Sequence, residues 1–430
     1  MTDKGAEVAV AGATGDLTAD CVHCGFCLSS CPTYVLGGNE AQSPRGHIPM
    51  ARSGEIPLAE AAAHFDGCLG CLACVTACRS GVEYDKIIEG VQVDLEREVP
   101  RHWRDRLFRW FLFALFQHPA RLRVAALGGW AYQRLGLRAM LTRLGLRQAL
   151  PARPRTVETL ISPVNLCSAL SRIPAKTPAE GDARGHVGLV TGCVQRVFFH
   201  EVNAAAVRVL TAEGCEVLAP RTQACCGALS LHAGREDEAV ARARAMIDTF
   251  DYVDVDTIVV NMARCGSILK QYGDLLRDDP VYAQRAAAFA AKVKDVTELL
   301  AELEPQAPRG PVDATVAYHD ACHLAHAQGV RSAPRAVLQQ IPGIALVDVP
   351  EADLCCGSAG IYKLVKPEAA EELGKRKAEN LLSRAPDIVA TANPGCLLQI
   401  GRHLPGEIPI LHPVQLVDAS IRRVNRSEIG

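Results

Sequence analysis

Two runs of closely spaced cysteines near the start of the chain restrict its fold more than any other sequence feature. The first run, CVHCGFCLSSCP, contains Cys21, Cys24, Cys27 and Cys31. The second run, CLGCLACVTAC, repeats the same spacing with Cys68, Cys71, Cys74 and Cys78. Thiols packed this densely either crosslink the chain or bind metal, so the cellular compartment decides between these two uses.

The composition favours a reducing compartment. The amino terminus, MTDKGAEVAVAGATGDLTAD, lacks the basic start and apolar core of a secretory signal, so we expect a cytoplasmic protein. A chain of 430 residues that is 49% hydrophobic buries ordinary cores without disulfides. Its eighteen cysteines therefore indicate metal ligands or redox thiols. The net charge of −2 gives no reason to expect a nucleic-acid partner.

Both runs resemble the C-x2-C-x2-C-x3-C motif of bacterial-type ferredoxins, in which thiolates hold [4Fe-4S] clusters. In two-cluster ferredoxins the distant cysteine of each run binds the other cluster. The resemblance implies one cluster on Cys21, Cys24, Cys27 and Cys78. It implies a second cluster on Cys68, Cys71, Cys74 and Cys31. Zinc is the alternative, but zinc sites use paired C-x2-C motifs or histidines rather than cysteine triplets.

The segments beside these runs show no competing motif. Between Cys31 and Cys68 the stretch IPLAEAAAHFDGC has helical character, which predicts a mainly α-helical two-cluster domain. The stretch AVAGATGDL at 8–16 resembles part of a dinucleotide-binding loop, but no strand or third glycine accompanies it. We therefore interpret residues 1–17 as a flexible leader.

Residues 101–150 carry ten arginines, the single acid Asp105 and all three tryptophans, Trp103, Trp110 and Trp130. The apolar run WFLFALF is too short to span a bilayer, which takes about 20 residues. The pattern predicts a basic amphipathic helical segment that lies in a membrane interface or docks on an acidic partner. The alternative is a helix packed on the protein's own domains with a solvated arginine face. Five prolines between 151 and 180 predict a linker.

The remaining cysteines form an internal repeat. The first copy contains Cys193, Cys225, Cys226 and Cys265. The second copy contains Cys322, Cys355, Cys356 and Cys396. Equivalent cysteines lie 129, 130, 130 and 131 residues apart, which indicates duplication of a unit of that size. Only Cys167 and Cys215 fall outside both the runs and the repeat.

Several of these cysteines follow short apolar strands that lead into helices, as in HVGLVTGC, TIVVNMARC, ATVAYHDAC and DIVATANPGC. Strands that alternate with helices indicate a parallel sheet. Ligand sites on such sheets gather beyond the carboxyl ends of the strands, so the repeat places its thiols at the expected position of a site.

The motifs CCGALSLHAG and CCGSAGIY resemble the cysteine-rich CCG domain shared by heterodisulfide reductases, anaerobic glycerol-3-phosphate dehydrogenase subunits and glycolate oxidase iron-sulfur subunits. Together with CVHCGFCLSSCPTY, SPRGHI, QYGDLLRDDPVYA and IVATANPGC, they are most similar to the last of these families. The resemblance implies an α+β multidomain protein, with an α-helical two-[4Fe-4S] ferredoxin domain followed by a duplicated α/β CCG domain with parallel sheets.

We divide the chain into five parts on this basis. They are a leader at 1–17, the two-cluster domain at 18–95, the basic segment and proline-rich linker at 96–184, and the two CCG domains at 185–308 and 309–425.

The resemblance implies an electron relay within an oxidoreductase complex. A separate subunit carrying FAD oxidises glycolate to glyoxylate, and this chain, with no catalytic residue of its own, passes the electrons to a quinone-type acceptor. Relay subunits for lactate or glycerol-3-phosphate oxidation are similar, so the substrate stays open. We expect a cytoplasmic location with peripheral contact at the inner face of the cell membrane through residues 101–150.

The chemistry of the CCG cysteines also stays open. Heterodisulfide reductases carry a further cysteine soon after the position of Cys265 or Cys396, and the sequence there reads CGSI and CLLQ. The missing thiol counts against a thiol–disulfide enzyme of that type. The four cysteines of either copy would then hold a further cluster or zinc, or act as structural thiols at a flavoprotein interface. We assign His319, His323 and His326 to capping or hydrogen bonding rather than to metal.

Overall fold

The structure is a computed structural model that describes residues 17–53, 56–145, 166–424 and 428. The predicted leader lies outside the described residues apart from Leu17. Residues 146–165, which include the end of the basic segment and most of the predicted linker prolines, also lie outside them.

The cysteine-run region is helical, and its described residues contain no strand. Its helices are α1 (Pro32–Gly37), α2 (Pro44–Ser53), α3 (Leu58–Phe65), α4 (Ala73–Ala77) and α5 (Tyr84–Glu98), with a 3₁₀ turn at Glu40–Gln42. Phe65, Ile87, Val91 and Leu95 are fully buried between these helices. The predicted α-helical fold of this region is confirmed.

The basic segment forms α6 (Trp103–Phe116), α7 (Pro119–Arg134) and α8 (Leu137–Arg143), and a short helix α9 (Leu166–Leu170) follows. Leu122 and Ala126 of α7 are buried against Ala169 of α9 and Val197 of the next domain. Among the described residues no helix combines the length and the apolar character needed to cross a membrane.

The first CCG copy contains a five-stranded sheet. Its strands are β1 (Lys176–Thr177), β2 (Gly185–Val190), β3 (Cys215–Leu218), β4 (Thr257–Val260) and β5 (Val293–Asp295), in the order β1-β3-β2-β4-β5. Its helices are α10 (Gln195–Phe198), α11 (His200–Ala212), α12 (Ala228–Leu231), α13 (Glu236–Asp251), α14 (Ala263–Lys270), α15 (Tyr272–Leu275), α16 (Ala283–Lys292) and α17 (Val296–Glu302). All neighbouring strands are parallel except β1, which runs antiparallel to β3 and lies inside the stretch predicted as a linker.

The second CCG copy contains a fully parallel four-stranded sheet. Its strands are β6 (Ala314–His319), β7 (Ile344–Val347), β8 (Ile388–Thr391) and β9 (Ile410–Leu411), in the order β7-β6-β8-β9. Its helices are a π-helix (His323–Ala327), α18 (Ser332–Gln339), α19 (Tyr362–Val365), α20 (Pro367–Leu382), α21 (Pro394–Gly401) and α22 (Pro413–Arg422).

Strand pairing repeats between the copies with the spacing of the cysteines. Val187 pairs with Thr257 in the first sheet, and Val316 pairs with Ile388 in the second. These partners are shifted by 129 and 131 residues, the same offsets that separate Cys193 from Cys322 and Cys265 from Cys396. The predicted duplication and parallel sheets are confirmed.

Two local elements differ from the sequence prediction. The helix expected after HVGLVTGC is broken at Phe199, whose φ of −134° and ψ of 40° lie outside the helical region, so it forms α10 and α11. The element after β6 is a π-helix rather than an α-helix. Short π-helical segments occur frequently at functional sites, and this one carries His323 beside Cys322.

The two copies share one hydrophobic core. Leu189 of β2 and Val316 of β6 belong to the same buried cluster, which also includes Leu210 of α11 and Val417 of α22. Because each sheet buries one face against the other copy, the duplicated units fold into a single packed body.

Candidate metal centres

The two cysteine triplets lie on loops that repeat the same backbone conformation. We call residues 21–27 the first loop and residues 68–74 the second loop. At equivalent positions His23 and Gly70 have φ of 54° and 57°. Two residues later Gly25 and Leu72 have φ of 82° and 62°. These left-handed turns wind each loop around a cavity that its three thiols line.

The first cavity lies inside the first loop. The cysteines around it are Cys21, Cys24, Cys27, Cys78 and Cys74. Cys78 reaches the cavity from the carboxyl end of α4 in the second run. Cys24 is exposed, and Phe26 beside it keeps 52% of its surface in solvent, so this cavity opens at the molecular surface.

The second cavity lies inside the second loop and is deeper. The cysteines around it are Cys31, Cys68, Cys71 and Cys74. Cys31 enters from the residue before α1, so it belongs to the first run. The Gly70 N–H donates a hydrogen bond to Cys68 Sγ at 3.4 Å, and the Tyr84 hydroxyl donates to the same sulfur at 3.9 Å. These donors fix the orientation of a thiolate in the wall.

The structure thus brings together the two sets of four cysteines that the ferredoxin resemblance implies. We call Cys21, Cys24, Cys27 and Cys78 the first thiol set. We call Cys31, Cys68, Cys71 and Cys74 the second thiol set. Each set takes three thiols from one loop and one from the other run. Binding of metal by these residues stays a prediction.

The buried thiols of the two sets need a bound cation before they can lose their protons. Burial raises the pKa of the Cys27 and Cys68 thiols to about 11. Burial also raises the pKa of Cys71 and Cys74 well above the usual value. Without metal these side chains stay protonated, whereas bound metal deprotonates a coordinating thiol outright. The cysteines of both runs and of both CCG copies are free thiols. The donor set therefore fits two [4Fe-4S] clusters.

In the first CCG copy the four thiols form two close pairs beyond the carboxyl ends of the strands. Cys193 Sγ donates to Cys225 Sγ at 3.5 Å, and Cys226 Sγ donates to Cys265 Sγ at 3.1 Å. Hydrogen bonds from Cys193 and Cys226 hold the pKa of Cys225 well below its usual value, so this thiol loses its proton more readily than an ordinary cysteine. Gly227, with φ of 83°, turns the chain after the pair.

In the second CCG copy the same pairing recurs with an added imidazole. Cys322 Sγ lies 4.0 Å from Cys355 Sγ, and Cys356 Sγ donates to Cys396 Sγ at 3.5 Å. The ligand atoms of His319, Cys356 and Cys396 all lie within 4.8 Å of one another. Hydrogen bonds from Cys356 and then from His319 hold the pKa of Cys396 well below its usual value. This group of donors can hold zinc or part of a cluster.

The three histidines near Cys322 have different surroundings. His319, which we expected to cap a helix or to form a hydrogen bond, is buried beside two thiols. His326 interacts with Thr76 at 2.9 Å and with Arg331 at 2.9 Å, so it joins α4 to the second copy. His323 Nδ1 lies 3.5 Å from Cys322 Sγ. Spacing alone did not distinguish these three residues.

The second loop packs directly on the second CCG copy. Leu69 and Cys71 share a buried cluster with Cys355 and Tyr362. The nearby Cys355 charge is the second cause, after burial, of the raised pKa of Cys71. Arg264 of the first copy lines the cavity around the thiols of the second. No sequence pattern indicated that Arg264 lies beside these thiols, because Arg264 and the thiols belong to different copies of the repeat.

The comparisons with known proteins cover nearly the whole chain. Residues 18–82 match the family described as "4Fe-4S dicluster domain". Residues 104–161 match "Glycolate oxidase iron-sulfur subunit, linker region", and residues 187–270 and 316–401 each match "Cysteine-rich domain".

Curated relatives agree with these matches. The chain is 35% identical to the "Probable glycolate oxidase iron-sulfur subunit" of Bacillus subtilis, over 89% of this chain and 88% of the relative. It is 33% identical to the "Glycolate oxidase iron-sulfur subunit" of Escherichia coli, over 94% of both chains. It is 28% identical to "Lactate utilization protein A" of an Exiguobacterium species, over 55% of this chain and 99% of the relative.

A solved structure shares the fold. The crystal structure of a hypothetical protein from Helicobacter pylori superposes on 82% of this chain and 60% of its own length, with a TM-score of 0.52 and 10% identity. The sequence identity to the two glycolate oxidase relatives extends through the cysteine runs, the linker region and both CCG copies. The chain therefore belongs to the family of glycolate oxidase iron-sulfur subunits.

Proposed function

We propose that this chain is the electron-transfer subunit of a complex that oxidises glycolate to glyoxylate. Substrate oxidation takes place on a separate subunit with FAD, and the electrons leave to a quinone-type acceptor. The observation that carries this proposal is the crossed arrangement of the two thiol sets, in a chain of this family. The first and second thiol sets are the proposed ligands of two [4Fe-4S] clusters. Such clusters, when bound, accept and release single electrons.

The two thiol sets differ in solvent exposure, and this difference suggests the direction of electron transfer. Cys24 is exposed, and Val22 and Phe26 beside it are 70% and 52% exposed. Cys31 and Cys71 of the second set are buried. We propose that the flavin-containing subunit docks on the exposed apolar rim of the first loop, so electrons enter at the first set and leave beyond the second.

The basic segment supplies the proposed membrane contact at the cytoplasmic face. Helix α6 exposes a stripe of large apolar side chains along one of its faces. Its members are Trp103, Leu107, Trp110 and Phe111, each more than half exposed. The opposite face, with Leu112 and Phe113, is buried on the protein. An exposed tryptophan stripe beside arginines suits the interface of an anionic membrane. The flavin subunit is the competing occupant of this stripe.

Lactate oxidation is the second candidate substrate reaction. The "Lactate utilization protein A" relatives support it, although they align with only about half of this chain. Turnover of the co-purified complex on glycolate, lactate and glycerol-3-phosphate distinguishes the substrates. We also propose the domain boundaries at residues 18–95, 96–184, 185–308 and 309–425, with β1 added to the first CCG domain because it pairs with β3.

The variant Cys24→Ser tests the relay. Removing one ligand of the first set should lower iron from about eight to about four atoms per chain. It should also abolish reduction of a quinone acceptor by the co-purified complex with glycolate. Iron analysis and acceptor-reduction assays under anaerobic conditions measure both effects. Cys215→Ala is the control, because Cys215 lies in β3 outside every thiol group. Full acceptor reduction by the Cys24→Ser complex would refute the relay.

A further inference from the structure

A cavity lies where the second loop, helix α5 and both CCG copies meet. Its wall includes Cys68 of the second loop, Glu89 of α5, His232 after α12, Arg264 of α14 and Tyr362 of α19. This cavity joins a member of the second thiol set to α5 and to both CCG copies. The cavity therefore offers a small molecule direct contact with Cys68.

Three buried nitrogens of the cavity wall, on Arg109, His232 and Arg264, have no hydrogen-bond partner. Arg264 Nε is buried without a hydrogen-bond acceptor, and His232 Nε2 is buried without a partner. The Arg264 guanidinium lies between Gly70 and Gly360, since its nitrogens come within 3.9 Å and 3.2 Å of where a Cβ on each glycine would be. Leaving a buried N–H without an acceptor is costly, so Arg264 Nε and His232 Nε2 indicate a ligand that supplies oxygen acceptors.

Asp66, Gln92 and Arg109 also line the cavity, and most of the remaining wall is apolar. It includes Leu69, Ile88, Leu229, Ile361 and Val365. A mainly apolar cavity with a few convergent hydrogen-bond donors is the usual form of a small-molecule site. Flat rings with carbonyl oxygens match this combination, because the ring packs on aliphatic side chains while the oxygens accept from the donors.

We propose that this cavity binds the ring of a quinone-class acceptor, whose carbonyl oxygens accept hydrogen bonds from Arg264 and His232. The inference rests on the proposed relay function and assigns the place where its electrons leave the chain. The ring would contact the wall beside Cys68, a member of the second thiol set. The exit then lies on the opposite side of the relay from the exposed Cys24.

The reduction balances with the groups present. A quinone takes up two electrons and two protons to form a quinol. The electrons come from oxidation of the 2-hydroxy acid on the flavin subunit, which releases two of them per molecule. One proton comes from solvent through Glu89, whose side chain is 26% exposed and whose Oε1 lies 3.9 Å from His232 Nδ1. His232 receives this proton at Nδ1 and releases one from Nε2 to the quinone oxygen that it contacts. The other oxygen lies beside Arg264, which keeps its own protons, and it takes the second proton from solvent as the quinol leaves the cavity.

The electrostatics of this pair support proton passage. Burial raises the pKa of Glu89 to about 7, so it exchanges protons near neutral pH. Burial and the Arg264 charge hold the pKa of His232 well below its usual value, which keeps the imidazole neutral between transfers. Asp85, Glu236 and Arg264 are the charged groups that act on Glu89.

Helix α6 connects the cavity with the proposed membrane face. Arg109 of α6 lines the cavity and is held there by Glu96 at 3.0 Å. The same helix exposes Trp110 and Phe111 on its other side. A lipid-soluble quinone would therefore travel only about the width of one helix, on the order of 10 Å, from the interface to the cavity.

Binding of a quinone analogue tests the site without turnover. The probe is 2-heptyl-4-hydroxyquinoline N-oxide, whose fluorescence is quenched when protein binds it, titrated into the anaerobic holoprotein. The variant Leu229→Trp fills the cavity without touching a charge or a thiol, so we expect at least about tenfold weaker binding. The variant Arg264→Gln removes one donor and should weaken binding about tenfold, while Arg264→Lys restores part of it.

The controls separate this inference from the proposed function. Leu135→Trp makes the same substitution at a side chain that is 72% exposed, and should bind like the unmodified protein. Iron analysis confirms that each variant keeps its clusters. If Leu229→Trp loses iron, the comparison of Arg264→Gln with Arg264→Lys tests the site instead. Unquenched probe with the unmodified protein, or tight binding by iron-replete cavity variants, would overturn the site. Glycolate-dependent reduction of ferricyanide should survive in Leu229→Trp, and its absence in the unmodified complex would refute the relay instead.

Discussion

At the scale of single residues, the two loops meet the same backbone requirement with different amino acids. His23 and Gly70 occupy one left-handed position, and Gly25 and Leu72 occupy the other. Each loop thus has glycine at only one of its two left-handed positions. A residue with a Cβ costs about 1–2 kcal/mol in this conformation. Such strain is frequent at functional sites, where the surrounding structure maintains it.

The variant His23→Gly should stabilise the first loop. His23 is exposed, so the substitution removes backbone strain without losing buried surface. We expect a gain of about 0.5–1 kcal/mol, the strain relief less the extra chain entropy of glycine. The measurement is the urea concentration at which half of the visible cluster absorbance is lost.

The opposite substitution serves as the matched control. Gly25→Ala adds a Cβ at φ of 82°, where it would meet Arg45 Nη1 at 3.3 Å. This variant should lose its absorbance at a lower urea concentration. Equal midpoints for both variants and the unmodified protein would show that the left-handed positions are not strained.

At the scale of elements, helix α6 packs on the protein with one face and exposes aromatic side chains on the other. Its buried face packs Phe113 beneath the Arg235 guanidinium, 4.4 Å from the ring centroid. Its exposed face carries the stripe that includes Trp103 and Trp110. The sequence of this segment was compatible with membrane contact, with docking on an acidic partner and with packing on the protein's own domains. The structure shows packing on one face and leaves the other face available.

The variant Trp110→Glu should weaken membrane binding. It replaces an aromatic group in the centre of the stripe with a charge that an anionic surface repels. We expect about tenfold weaker binding in sedimentation with phosphatidylglycerol–phosphatidylethanolamine vesicles. Tyr252→Glu is the control, because Tyr252 is 89% exposed on the first CCG copy. If vesicle binding is unchanged while the flavin subunit no longer co-purifies, the stripe is a subunit interface.

At the scale of the whole molecule, the duplicated copies depend on each other. They share one core, and a bidentate ion pair crosses between them. Arg208 of α11 donates to both oxygens of Asp418 of α22, at 2.8 Å and 2.7 Å. The Asp418 carboxylate is 8% exposed, so its desolvation is offset by this arginine and by Arg422 at 3.3 Å.

The variant Arg208→Ala should destabilise the whole chain rather than one copy. It leaves a buried carboxylate with one remaining partner, which costs about 1–3 kcal/mol in the free energy of unfolding. Urea unfolding followed by circular dichroism measures this loss, and the transition should stay single because the core is shared. Arg277→Ala is the control, since its neighbour Asp278 is 98% exposed and the pair contributes little. An equal loss in both variants would argue against the role of the buried pair.

Local spacing determined much of this protein. The offsets within CVHCGFCLSSCP place three thiols on one loop, because residues three apart on a tight turn face one cavity. The apolar runs before Cys193, Cys265, Cys322 and Cys396 predicted β2, β4, β6 and β8, because a buried strand needs only a few consecutive apolar residues. The constant offset near 130 predicted the duplicated topology.

Tertiary structure decided what distant segments bring together. His319 lies among thiols, and Arg264 stands between the second loop and the second copy, although sequence spacing gave no sign of either position. Glu89 and His232 are more than a hundred residues apart, yet they line one cavity with Cys68. Spacing along the chain constrains only neighbours on one element. Contacts between elements arise from the burial of whole faces, which no short motif encodes.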